Sequence, residues 1–385
     1  MDTYLRSLLQ KRQQTALYRT RQIHASPQTP TLRINGQSYL AFCSNDYLGL
    51  ANHPRLKMAL QQGLEQYGVG SGASHLITGH TLAHHRLEKE LAAYTGRERA
   101  LLFSTGYMAN LGIVTTLVGH HDAIFVDKLN HASLLDAALL SRAKMYRYPH
   151  NDMQILERLL AKSKAQHKLL LTDGVFSMDG DIAKLPQIIQ LAKTYSAWVM
   201  VDDAHGLGVL GQTGRGTLEK YGLGGEDVPI LMGTLGKAFG VFGAFVAGSE
   251  LLIESLIQAA RSYIYTTALP PALAEAVRES LKIVQPEIWR REHLHELITY
   301  FRQECQKMSI PLMESATPIQ PIILGNSEKA LAMSAALYER GIIVTAIRPP
   351  TVPQGTARLR ITLSALHDKN QINKLITVLD EVLGT

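Results

Sequence analysis

An α/β protein is predicted, with a largely parallel sheet and a smaller α+β domain at the C-terminal end, from three observations. Between residues 41 and 268 short apolar runs alternate with amphipathic helical patterns, the sign of repeated βαβ units. After Leu269-Pro270-Pro271 the pattern changes to one long helical stretch followed by strand-like runs. The chain has 385 residues, 46% hydrophobic and 19% charged, which exceeds one ordinary domain at a soluble globular composition, so two domains are expected.

In chain order, residues 1–40 read as an arm: a helix over 4–21, a loop with Pro27 and Pro30, and a hairpin turned at Asn35-Gly36. The large domain, 41–268, carries strand candidates at 100–103, 123–126, 169–172, 198–201, 230–232 and 243–247. Helical patterns fall between them at 54–67, 82–94, 108–117, 133–141, 153–164 and 186–195. The small domain, 269–385, opens with a helix over 272–307 and continues with strands near 319–324, 342–345 and 358–361. No repeat or low-complexity tract interrupts this order.

Charge and cysteine content narrow the function classes. The net charge of +6 is spread along the chain without a block of Lys and Arg, which argues against a nucleic-acid partner, while a mildly basic surface suits an anionic substrate. Cys43 and Cys305 lie far apart in no metal-ligand spacing, so neither a disulfide framework nor a zinc module is expected. The first twelve residues mix charges into a helical pattern and lack the apolar core of a signal peptide. The most apolar window, 230–248, has Lys237 at its centre, which argues against a membrane span. A cytoplasmic protein is expected.

In open α/β sheets ligands bind beyond the carboxyl ends of the strands, so the polar residues following each apolar run are the candidates. Lys237 follows the run at 230–232, among Gly236, Ala238, Phe239 and Gly240. An ammonium there is costly unless paired, neutralised or covalently bound, which makes Lys237 a candidate Schiff-base former. A phosphate-binding loop of nucleotide hydrolases is excluded, because that motif needs Gly at 231 and Ser or Thr at 238, where Leu231 and Ala238 stand. Asp202 ends the run at 198–201, with His205 three residues on; a buried carboxylate there requires an internal cation or a protonated ligand ring. The Asp-x-x-His spacing would also suit half a metal site, but no second ligand cluster accompanies it and no metal is expected.

After 100–103 comes the small-residue turn Ser104-Thr105-Gly106-Tyr107, opening a helix whose N-terminus suits a phosphate and serves equally as a plain cap. His131, in Asn130-His131-Ala132-Ser133, reads as a ring stacker, a proton shuttle or an incidental residue of a capping turn. Ser177 follows the run at 169–172 in a stretch with turn chemistry. The doublets His84-His85 and His120-His121 read as solvated positions. A strand-end lysine, a strand-end acid, a stacker and a phosphate turn together describe a site for pyridoxal 5'-phosphate. In it Lys237 binds the aldehyde, Asp202 holds the ring nitrogen, His205 meets the ring oxygen, and Gly106, Tyr107 and Thr234 hold the phosphate.

The chain resembles the α-oxoamine synthases, fold-type-I pyridoxal-phosphate transferases. The motifs are Ser44-Asn-Asp-Tyr-Leu-Gly-Leu50, Gly70-Ser-Gly-Ala-Ser74, Asn130-His-Ala-Ser133, Gly174-Val-Phe-Ser-Met-Asp-Gly180, Val201-Asp-Asp-Ala-His-Gly206, Thr234-Leu-Gly-Lys237 and Ile347-Arg-Pro-Pro-Thr-Val-Pro353. The resemblance implies a mainly parallel seven-stranded sheet and a homodimer in which Tyr265-Thr266-Thr267 reach the neighbour's phosphate. It implies that Lys237 carries the cofactor, Asp202 pairs its ring nitrogen, His131 stacks on the ring, and Gly106, Tyr107, Ser177, His205 and Thr234 contact it. Substrate roles are implied for Asn45, His131, Arg348 and Thr351, and for Arg19, with Arg21 close by, towards the acyl group. A guanidinium at 348 suits a carboxylate.

The 347–353 stretch resembles the biotin-synthesis branch, which implies decarboxylative condensation of L-alanine with a pimeloyl thioester on CoA or acyl carrier protein. The alternative is glycine C-acetyltransferase chemistry. A catalytically inactive relative serving as a partner subunit would not need Lys237, Asp202 and His131 together. The sequence departs from the family pattern at Asp173, often Glu, and at Leu207, often Thr.

Overall fold

The structure, a computed structural model, describes residues 1–384. Its strands are β1 (Thr31–Ile34), β2 (Gln37–Ala41), β3 (Arg99–Phe103), β4 (Ala123–Asp127), β5 (Lys144–Tyr148), β6 (Lys168–Asp173), β7 (Trp198–Asp202), β8 (Ile230–Thr234), β9 (Ala244–Gly248), β10 (Ile319–Gly325), β11 (Ile342–Ile343), β12 (Thr345–Ile347) and β13 (Ala357–Thr362). The chain forms two compact units. The first comprises Met1–Gly49, Ser177–Asp181 and the chain from Glu292 onward; the second comprises Leu50–Phe176 and Ile182–Arg291. This division differs from a linear break at Leu269. The helix Pro271–Val284 belongs to the second unit because it lies on the helix Pro54–Tyr67, where Gly63 lets the two backbones meet: a Cβ there would sit 2.8 Å from the Cα of Ala272.

The second unit is a seven-stranded sheet in the order β3-β9-β8-β7-β6-β4-β5, parallel throughout except that β9 runs antiparallel to both neighbours. Strands β4, β8 and β9 are near-continuous apolar runs because helices cover both faces of a parallel sheet. One apolar cluster joins Val126, Leu171, Met200 and Met232 to the helices Gly106–Leu117 and Ala132–Ser141. The other joins Phe125, Leu170, Val201 and Leu231 to Met153–Lys162 and Leu185–Thr194. The sequence pattern misses β5, whose Lys144-Met-Tyr-Arg-Tyr148 carries charges suited to an edge strand paired only with β4. It also misses the helix Glu250–Ala259, although Ser249 is a proper cap, its hydroxyl accepting from Leu252 N–H.

In the first unit, Asn35 and Gly36 take φ of 50° and 81°, the left-handed pair that a two-residue hairpin between β1 and β2 requires. Strand β11 adds parallel to β2, and β10-β13-β12 form a separate antiparallel sheet. The N-terminal helix stops at Gln14, short of the expected residue 21, where Ala16 turns left-handed. The single helix expected over 272–307 is two, Pro271–Val284 and Trp289–Lys307, separated around Pro286, which has no N–H to continue the ladder.

Candidate functional site

The second unit gathers its polar residues at the carboxyl ends of β3, β4, β7 and β8. Thr234 is the last residue of β8, and Lys237 follows in the turn with its Nζ 2.9 Å from Nε2 of the buried His205. Asp202 is the last residue of β7 and is buried. One of its oxygens accepts from Ala204 N–H at 3.1 Å, the other from Asn110 Nδ2 at 2.8 Å. The following residue, Asp203, has a different task. A Cβ added at Gly174, Gly206 or Gly216 would fall 2.4, 2.1 or 1.9 Å from its carboxylate, so three glycines enclose it, and burial pushes its acid up to about 7.

At the end of β3, Thr105 caps the helix Gly106–Leu117, its hydroxyl accepting from Met108 N–H at 3.2 Å. Gly106 is the first helical residue, and a Cβ there would lie 2.8 Å from Thr234 Cγ2, so this cradle depends on glycine. Tyr107 donates its hydroxyl proton to the carboxylate of Asp136, and this contact raises the phenol above its usual range.

His131 caps the helix Ala132–Ser141, and its Nδ1 lies 2.7 Å from Ser133 Oγ. Its backbone N–H donates to Asp173 at 2.9 Å. Desolvation holds the His131 imidazole below its ordinary value; Asp202 and Asp136 pull it upward and Lys237 pushes it down. Asp173 ends β6 in register with Asp202 on β7, and burial together with that carboxylate drives its acid well above the usual range.

Gly106, Tyr107, His131, Asp202, His205, Thr234 and Lys237 thus all belong to this unit. An amine within reach of an imidazole, a buried acid, a capped helix N-terminus and a glycine cradle form a donor and acceptor set that fits pyridoxal phosphate. In this unit, sequence reasoning missed Asn110 and Ser133. Asn110 is a lone amide on an otherwise apolar helix, and that is the signal that could have found it.

Ser177, Asn45, Arg19, Arg348 and Thr351 fall in the first unit. Arg19, Arg348 and Thr351 line one cavity of about 300 Å³ with Tyr18, Ile347 and Pro349; Arg21 is not among its lining residues. Arg348 donates to the carbonyls of Ala16 and Tyr18, and burial and then the Arg19 charge lower its guanidinium. Asn45 does not line this cavity. Its Oδ1 takes Arg360 Nη1 and Nη2, both at 3.3 Å, and Tyr47 Oη at 3.3 Å. Arg360 Nε donates to the Ser177 carbonyl at 2.6 Å, so one buried guanidinium holds both residues.

The reading of His84 as solvated needs correction. It is fully buried, because Nδ1 accepts from Thr81 N–H at 3.0 Å as part of a capping box and Nε2 donates to the Leu269 carbonyl. His75, His80 and His84 bring nitrogens close enough for a metal ion. With both His84 nitrogens engaged and His75 Nδ1 2.9 Å from His80 Nδ1, the cluster is explained as a hydrogen-bonded packing group.

Comparison with known proteins gives a consistent picture. The family model described as aminotransferase class I and II matches residues 37–379. The 8-amino-7-oxononanoate synthase of Cellvibrio japonicus (strain Ueda107) is 58% identical over 385 residues, covering 100% of this chain and 97% of its own. Among solved structures, 8-amino-7-oxononanoate synthase from Francisella tularensis superposes with a TM-score of 0.79 at 35% identity, over 90% of this chain and 98% of its own. Serine palmitoyltransferase from S. paucimobilis, solved with a bound PLP–myriocin aldimine, gives 0.93 at 30% identity over 98% and 96%.

Proposed function

The chain belongs to the class I and II aminotransferase family and, within it, to the 8-amino-7-oxononanoate synthases, and on that premise we propose how its residues carry out the reaction. It is a pyridoxal-phosphate enzyme that condenses L-alanine with a pimeloyl thioester, giving 8-amino-7-oxononanoate, CO2 and the free thiol carrier for biotin synthesis. The observation that carries this reading is the end-to-end 58% identity.

When bound, pyridoxal phosphate supplies an electron-withdrawing ring for charge formed at the amino acid's Cα. Lys237 would anchor its aldehyde, and the 2.9 Å contact with His205 orients the amine. Asp202 would hold the ring nitrogen in its protonated form; each of its oxygens accepts one bond from the protein, which leaves acceptor capacity for that proton. Gly106, Tyr107 and Thr234 would hold the phosphate at the helix N-terminus. His131 would stack on the ring, and Ser177 would contact it. Lys237 Nζ would take the Cα proton of alanine as a general base. His131 would assist the return of a proton to that carbon. Arg348, with Thr351, receives a substrate carboxylate in the cavity of the first unit, Arg19 meets the acyl substrate there, and Asn45 contributes an amide to substrate binding.

Thiol release tests the assignment: L-alanine with pimeloyl-CoA or pimeloyl-acyl carrier protein is turned over, and glycine with acetyl-CoA is not. Preference for the glycine pair would overturn it and favour the acetyltransferase alternative; comparing the two pimeloyl donors settles the carrier. We also propose a cytoplasmic homodimer. No helix among the described residues is long and apolar enough to cross a membrane. Tyr265, 71% exposed beside Thr266 and Thr267, is available to a second copy. Light scattering that gives a monomer at working concentration would refute the dimer.

A further inference from the structure

We propose that Asn110 and Ser133 form a hydrogen-bond relay that fixes His131 as the tautomer with its proton on Nε2. The inference rests on the reading of Asp202 and His131 as cofactor residues, and it concerns how the protein sets the imidazole before any substrate arrives. Asn110 is completely buried, and its Nδ2 lies 2.8 Å from Asp202 Oδ2 and 2.8 Å from Ser133 Oγ. A carboxylate only accepts, so the amide must turn its NH2 towards Asp202; the reverse orientation would set oxygen against oxygen. The second amide proton then goes to Ser133 Oγ.

Ser133 is 1% exposed, and its hydroxyl has one proton to give. With Asn110 already donating to the oxygen, that proton points along the 2.7 Å contact to His131 Nδ1. The backbone N–H of Ser133 faces the same nitrogen at 3.3 Å. Two donors therefore converge on Nδ1. A proton there would oppose the backbone N–H and leave the hydroxyl proton without an acceptor, so Nδ1 is the bare nitrogen and Nε2 carries the proton.

The charged groups acting on this ring are Asp202, Lys237 and Asp136, while the carboxyl of Asp173 holds the His131 backbone N–H from β6. In the proposed reaction His131 thus meets the substrate as a hydrogen-bond donor through Nε2, and not as a base. Asn110 and Ser133 are positioning residues, linking the orientation of His131 to Asp202.

The test is nitrogen-15 NMR of histidine-labelled, cofactor-loaded full-length protein, with the His131 signals assigned by their loss in His131→Asn. The expected spectrum at neutral pH shows a pyrrole-type Nε2 and a pyridine-type Nδ1 for His131. A pyrrole-type Nδ1 would overturn the relay without any variant. Ser133→Ala is expected to raise the His131 titration midpoint by about one pH unit, the size expected for one net hydrogen bond, and to populate the Nδ1-protonated form. Ser133→Thr, which keeps the hydroxyl, is expected to restore the original titration. A Ser133→Ala titration superimposable on that of the unaltered protein would refute the proposal. Because the tautomer is read without turnover, failure of the condensation assay would count against the proposed reaction and leave the relay in place.

Discussion

Replacing Arg360 by Met tests whether one buried guanidinium holds the expected substrate and cofactor residues of the first unit. Arg360 is 6% exposed on β13 and makes four donor contacts. Nε reaches the Ser177 carbonyl at 2.6 Å, Nη1 reaches Asn45 Oδ1 at 3.3 Å and Thr362 Oγ1 at 3.1 Å, and Nη2 reaches Asn45 Oδ1 at 3.3 Å. A hydrogen bond from a charged donor contributes about 1.5–3 kcal/mol net, and a stranded buried acceptor costs about 1–3 kcal/mol. The Ser177 bond has near-ideal length and takes the upper part of that range. The two long contacts share one oxygen that keeps Tyr47 as donor, so together they count as one weak bond. Methionine needs no desolvation of a charge, which returns part of the loss. The balance is about 3 kcal/mol of destabilisation, and Arg360→Lys, with no planar fork, should recover less than half of it. Urea unfolding followed by circular dichroism measures this. Released from its clamp, Asn45 should also present its amide poorly, raising the KM for alanine more than it lowers kcat. A stability within about 1 kcal/mol of the unaltered protein, below even one charged hydrogen bond, would refute the clamp.

Lys237→Ala should lose both the cofactor-linked visible absorbance and turnover, and retained turnover would contradict its role as anchor and base. Asp202→Ala should lose more activity than cofactor content, measured by absorbance and thiol release on one preparation; losses in proportion would contradict its hold on the ring nitrogen. Gly216→Ala combines a φ of 84° with a Cβ 1.9 Å from the buried Asp203 carboxylate, whereas Gly222→Ala has a φ of 65° with nothing within 4 Å. Gly222→Ala should cost about 1–2 kcal/mol of backbone strain and Gly216→Ala clearly more, so equal melting temperatures would refute the enclosure of Asp203. Burial first, then the neighbouring His84, lowers the imidazoles of His75 to about 3 and His80 to about 4 from 6.5. The unfolded chain therefore binds more protons between pH 4 and 6.5, so their contribution to stability is complete above 6.5 and lost as pH falls towards 4. Urea midpoints of His80→Gln should improve relative to the unaltered protein as pH drops through that window; a constant difference would refute it.

The carboxyl ends of the strands were the legible part of the sequence. Lys237, Asp202 and His205 are polar residues closing apolar runs, and a parallel sheet places such residues on one edge. Asn110 and Ser133 escaped because a single amide or hydroxyl at a helix start has the same appearance whether it caps the helix or bridges two functional side chains. His84 escaped for the opposite reason: spacing alone assigns a histidine doublet to the surface, while the hydrogen bonds that bury this one come from Thr81 and from Leu269, 185 residues away. Arg358 and Arg360 were equally opaque. They alternate along β13 and would read as a solvated face, but they turn inward to Asp179 and to the Ser177 carbonyl, on a segment brought in from between β6 and β7.

The same limit runs through Val201-Asp-Asp-Ala-His-Gly206, where chemistry and packing share six residues. Asp202 and His205 face Asn110 and Lys237, whereas Asp203 is the anchor for glycines at 174, 206 and 216. Sequence shows two adjacent acids and no means of ranking them beyond strand length. Only the convergence of three glycines from separate turns shows that the second acid holds the loop together, and so why the first is free to serve the site. The arrangement also makes the loop intolerant of any side chain at those glycines, since each Cβ would press on a carboxylate that has no room to move.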